Sequence, residues 1–105
     1  MKNSLHPSFI LKLPEVKRLL KEHKVKRAYA FGSVCTDNFK ENSDIDLLIA
    51  FDIEEPFAGY ADNFWDMETK LKIILNRNVD LVPEHKLSNK YFIEELNKTK
   101  TILYE

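Results

Sequence analysis

Ala30-Phe31-Gly32-Ser33, ten further residues, and then Asp44-Ile45-Asp46-Leu47-Leu48-Ile49 form the stretch whose reading decides the fold. Residues two apart on a strand point to the same side of a sheet. Asp44 and Asp46 therefore share one face, and Ile45, Leu47 and Ile49 turn to the other, toward a core. Arg27–Phe31 reads as a short strand stopped by Gly32, and Asp44–Phe51 as a second strand rich in Ile and Leu. Glu54, Glu55 and Pro56 break the second strand. The chain between them, Val34–Asn42, is polar and irregular.

Working outward, Pro14–Lys24 reads as a helix with Val16, Leu19 and Leu20 on one face and Pro14 in its first turn. Ala58–Leu75 is the longest helix. Tyr60, Phe64, Met67, Leu71 and Ile74 make one stripe on it, the expected core face. Trp65 lies off the stripe and fits either a sheet edge or a partner contact. Val79–Val82 is a short strand closed by Pro83. Asn89–Asn97 is a last helix with Tyr91, Phe92 and Leu96, and Thr101–Tyr104 adds an edge strand. The expected fold is α+β: a small mixed β-sheet with helices packed on one face, the first two strands pairing directly. The 105 residues suit a single domain over 1–105.

The two carboxylates carry the chemistry. Placed about 4 Å apart they repel by roughly 4 kcal/mol at an effective dielectric near 20. A hard divalent cation relieves that repulsion, and Mg²⁺ typically takes one or two carboxylates plus substrate phosphates. Asp80, between Val79 and Leu81, is a third acid on a strand. If that strand lies beside Asp44–Asp46, the trio can hold two metals astride an in-line displacement at phosphorus. Gly32 is one of only two glycines and sits at a strand end. Backbone N–H groups after it, with the Ser33 hydroxyl, make a phosphate cradle. Gly-Ser ten residues ahead of Asp-x-Asp arises by chance in roughly one such chain in a thousand at ordinary residue frequencies.

The pattern Gly32-Ser33, ten residues, Asp44-Ile45-Asp46 resembles the nucleotidyltransferase superfamily related to DNA polymerase beta. The short length resembles its minimal branch, the antitoxin-type partners of HEPN-domain proteins. The resemblance implies a mixed sheet with flanking helices. It implies that Gly32 and Ser33 bind the triphosphate of an NTP, with ATP the expected substrate. Asp44, Asp46 and Asp80 would be the catalytic and Mg²⁺-binding residues, with Asp80 also helping to activate the acceptor hydroxyl. In antitoxin-type members that acceptor is a tyrosine of the HEPN partner, which becomes adenylylated. Many members follow Gly-Ser with a small residue, Arg and Gly. Val34-Cys35-Thr36-Asp37-Asn38 stands there instead, and Lys40 is the candidate substitute for the missing cation. That departure keeps a second reading in view, a binding module that neutralises its partner by covering it.

Composition bounds the remaining classes. A net charge of −1 argues against a module that holds nucleic acid by itself, because phosphate contacts dominate that affinity. The apolar run Leu47–Phe51 is far too short to span a membrane, and Lys12 interrupts Phe9–Leu13, so no signal-peptide core is expected. The single cysteine, Cys35, fits a reducing compartment, and the expected location is the cytoplasm. Cys35 reads as a small partly buried thiol. His6, His23 and His85 lack ligand spacing and read as surface residues. Lys17, Arg18, Lys21 and Lys24–Arg27 read as a solvated helix face and its exit. A chain this short leaves no room for an acceptor-binding domain, so a partner protein is expected to bring the acceptor.

Overall fold

The computed structural model describes residues 5–52 and 58–105. The strand breakers Glu54, Glu55 and Pro56 lie outside the described residues. Helix α1 spans Pro7–Glu22, with His6 capping its first turn by accepting the Ser8 N–H. It starts a full two turns before Pro14, which sits inside the helix. A mid-helix proline costs one backbone bond. Here Phe9, 1% exposed, anchors the preceding turn in the core, and burial of that ring outweighs the lost bond.

Four strands follow: β1 (Val25–Phe31), β2 (Ile45–Phe51), β3 (Val79–Pro83) and β4 (Thr101–Tyr104). Helix α2 (Tyr60–Leu75) joins β2 to β3, and α3 (Lys90–Thr99) joins β3 to β4. The sheet order is β3-β2-β1-β4. β1 pairs antiparallel with both β2 and β4, whereas β2 and β3 run parallel. The direct pairing of the first two strands and the mixed character of the sheet are as expected. β1 begins two residues early because Val25 is buried, and Asp44 stands just ahead of β2 rather than in it.

α1 and α2 cover one face of the sheet. Val16 and Leu20 of α1 and Met67 and Leu71 of α2 join Ala28, Ala30, Ile45, Leu47 and Ile49 in one apolar cluster. Each fully buried aliphatic chain contributes about 1.5–3 kcal/mol. Tyr60, Phe64 and Ile74 of the predicted stripe pack against this cluster from its margin. α3 lies over the opposite face, where Leu96 meets Phe31 and Leu48. Trp65 is 72% exposed and packs in neither layer.

The histidines need correction. His23 is buried, not a surface residue. Its ring nitrogens face two acceptors, the Leu19 carbonyl at 2.8 Å and Asp66 Oδ2 at 2.7 Å. The ring thus bolts the end of α1 to α2. Asp66 lies 43 residues away, so no local pattern announces the pair. The hydrogen bond from His23, followed by that from Lys70, holds the Asp66 carboxyl below its ordinary range. His6 is half-buried, with its ring 4.9 Å from that of Phe39, while His85 is exposed. Arg27, assigned to a solvated cluster, forms a two-point bond with Glu84, both contacts at 2.9 Å.

Candidate active site

The parallel pairing of β2 with β3 brings two of the predicted acids side by side. Asp46 and Asp80 are direct register partners. Adjacent strands lie about 4.8 Å apart, and partners in register project to the same face. That face is the one away from α1 and α2, which the alternation Ile45-in, Asp46-out, Leu47-in requires. Asp44 and Asp80 are exposed and Asp46 is half-buried. Burial, then the charge of Asp80, then that of Asp44, push the Asp46 carboxyl from its ordinary 3.8 up to about 6. Asp46 therefore feels the charge of both other acids.

Gly32 closes the fourth side. It ends β1 with φ +76°, a left-handed conformation that favours glycine. β1 and β2 are antiparallel, so the end of β1 lies beside the start of β2, with Phe31 opposite Asp46. A Cβ placed on Gly32 would collide with Asp46 Oδ2. The backbone thus comes into contact with the central acid only because the side chain is missing. Gly32–Cys35 then forms a short 3-10 turn. Its outer end is pinned by the His6 N–H donating to the Val34 carbonyl at 2.9 Å, and by the Thr36 N–H and hydroxyl, each donating to the Ser33 carbonyl at 3.0 Å. Cys35 is buried in this turn, and burial raises its thiol pKa, which suits a packing role.

Among the described residues, no three His, Cys, Asp or Glu side chains already form a set able to hold an ion. The chemistry of the donors nonetheless fits Mg²⁺. They are all oxygen, and the half-buried Asp46 carboxylate is repelled by two others. Mg²⁺ commonly uses one or two carboxylates and completes its shell with water and phosphate oxygens.

Two supporting residues left no signal in the sequence. Arg77 donates from one guanidinium nitrogen to the carbonyls of Lys40 and Ser43, both at 2.9 Å, and lies 4.4 Å over the Phe39 ring. It braces the loop that delivers Asp44. Thr99 Oγ1 accepts the Gly32 N–H at 2.8 Å. On the same face of the sheet, an open cleft of about 550 Å³ under α3 is lined by Tyr29, Leu48, Leu96 and Lys100 among others, and by none of the three acids. That is the size of a small-ligand site.

Comparison with known proteins identifies the family. The family model for polymerase beta nucleotidyltransferases matches residues 14–105. A Methanocaldococcus jannaschii protein named as a protein adenylyltransferase is 36% identical over 83 residues, 71% of this chain and 92% of that protein. A solved minimal nucleotidyltransferase superposes with a TM-score of 0.70 at 28% identity, covering 88% of this chain and 89% of the other. A Shewanella oneidensis complex, described as a tri-AMPylated HEPN toxin with its MNT antitoxin, gives 0.64 at 22% identity, covering 90% and 71%. At that identity the last likeness concerns the fold.

Proposed function

This chain belongs to the polymerase beta nucleotidyltransferase family and is an enzyme of that class, and from that premise we propose that it moves AMP from ATP, with Mg²⁺, onto a tyrosine hydroxyl of a HEPN-type partner protein, as an antitoxin. The observation that carries the reading is the juxtaposition of Asp46 and Asp80 in register, with Gly32 packed against the Asp46 carboxylate. The name of the M. jannaschii relative and the adenylylated partner in the S. oneidensis complex support AMP transfer to protein. The reducing cytoplasm suits the single buried thiol.

Transfer of a nucleotidyl group is mostly a matter of placing the reactants and balancing charge. Asp44, Asp46 and Asp80 would hold Mg²⁺, which when bound would neutralise charge on the triphosphate. Ser33 would bind the triphosphate from the turn beside Asp46. Asp80, exposed on the outer strand of the trio, orients the acceptor hydroxyl and takes its proton. The new bond joins the tyrosine oxygen to the α-phosphorus. The bond from that phosphorus to the bridging oxygen breaks, and pyrophosphate leaves on the Ser33 side.

The test is label transfer from α-labelled ATP with Mg²⁺ to a purified HEPN partner, comparing the native chain with Asp46→Asn. Label on the partner that depends on Asp46 and disappears when the partner's tyrosines are changed to phenylalanine supports the reading. A folded native chain that labels nothing with any NTP, yet still neutralises the partner, would overturn it in favour of neutralisation by contact alone.

A further inference from the structure

The turn that meets Asp46 is held from the far end of the chain. Thr99, the last residue of α3, accepts the Gly32 N–H on Oγ1 at 2.8 Å. Its own main chain is fixed at that corner: the Thr101 hydroxyl donates to the Thr99 carbonyl at 2.9 Å, and the Lys100 N–H donates to the Leu96 carbonyl at 2.9 Å. Leu96 is buried against Phe31 and Leu48, so the corner is anchored in the apolar layer beneath α3.

The Gly32 N–H belongs to the peptide plane joining Phe31 to Gly32. Gly32 sits at positive φ with its α-carbon against the Asp46 carboxylate, so a small rotation of that plane moves the Ser33 backbone relative to the acids. We propose that Thr99 is a positioning residue for the nucleotide: by taking up the Gly32 N–H it sets the turn so that the Ser33 N–H and hydroxyl face the triphosphate. This rests on the nucleotide reading of Gly32-Ser33 given above. The Gly32 N–H is taken up within the protein, which leaves the cradle to the groups that follow it. Among the described residues the Ser33 hydroxyl has no partner and remains for phosphate.

The chain contains two glycines, so ¹⁵N-glycine labelling gives two amide signals, one at the site and one, Gly59, away from it. The native protein, Thr99→Val and Thr99→Ser are titrated with the ATP analogue AMP-PNP and Mg²⁺. Valine keeps the shape of threonine without the acceptor, and serine restores the acceptor. In the native protein AMP-PNP shifts the Gly32 signal and leaves Gly59 in place. In Thr99→Val the Gly32 amide exchanges faster with solvent and AMP-PNP binds about tenfold more weakly, the scale of one lost neutral hydrogen bond. KM for ATP rises similarly with kcat little changed, and Thr99→Ser recovers both. Unchanged affinity in Thr99→Val overturns the proposal, whether or not the amide is freed, and so does a loss that serine fails to recover. Should Thr99→Val not fold, Thr99→Ala carries the same comparison. A native protein in which no NTP moves the Gly32 signal overturns the nucleotide reading itself, and the role of Thr99 with it.

Discussion

Asp46 shows how one side chain reports its neighbourhood. Its carboxyl is raised to about 6, with burial the leading cause and Asp80 and Asp44 adding to it. Between the ordinary value near 4 and this raised one, the folded chain binds more protons than the unfolded chain, so stability falls as pH rises through that window. Asp66 and Glu84 are shifted the other way, each first by its hydrogen bond, to His23 and Arg27 respectively. Their contribution is present above their ordinary values and is lost only as pH falls through the lowered ones. The expectation is that, with EDTA present, the melting temperature rises on going from pH 7.5 to 5. Asp46→Asn should flatten that rise and leave the protein at least as stable as the native chain at pH 7.5. An identical slope in native and variant would show that Asp46 is not under the repulsion described.

At the scale of elements, the site depends on how each segment ends. Pro14 did not set the start of α1, because Phe9 holds the earlier turns in the core. The other end of α1 turns into β1 through Lys24, a non-glycine residue at φ +73°. Its carbonyl accepts the Asp52 N–H at 2.8 Å, so the backbone cannot relax out of that conformation without loosening the end of β2. A left-handed conformation costs an ordinary residue roughly 1–2 kcal/mol, part of which glycine recovers after its own entropy cost. Lys24→Gly should therefore stabilise the protein by about 0.5–1 kcal/mol. The check is a melting temperature a few degrees above native. A fall instead would mean that the lysine side chain contributes more than its backbone costs.

At the scale of the molecule, the site face and the core face are two sides of one sheet. The acids can stand together on one side because the other side is sealed by α1 and α2. Met67 is fully buried in that seal, on the side of the sheet away from Asp46. Met67→Ala should cost about 2–5 kcal/mol through lost contact and a residual cavity, a large share of a typical total of 5–15 kcal/mol. Urea denaturation would register this, while transfer by the fraction still folded should be close to native. A loss of transfer without a loss of stability would contradict this division of labour between the faces.

Much of the site was legible in the chain. The alternation Asp44-Ile45-Asp46-Leu47 settles by period alone which side of β2 carries the acids. Gly32-Ser33 at a strand end marks a turn that needs backbone freedom. These are local facts, decided by residues within a strand or a turn of one another. What tertiary structure alone decided is each contact whose partners lie far apart in sequence. The register that sets Asp80 beside Asp46 follows from how α2 crosses over the sheet. The burial of His23 depends on Asp66, the bracing of the Asp44 loop on Arg77, and the orientation of the Gly32 peptide on Thr99. None of these partners carries a distinguishing pattern, because a single polar side chain looks the same in sequence whether it meets water or the backbone of a distant turn. Packing of the sheet between its helices brings them together, and only the folded chain reveals which pairs meet.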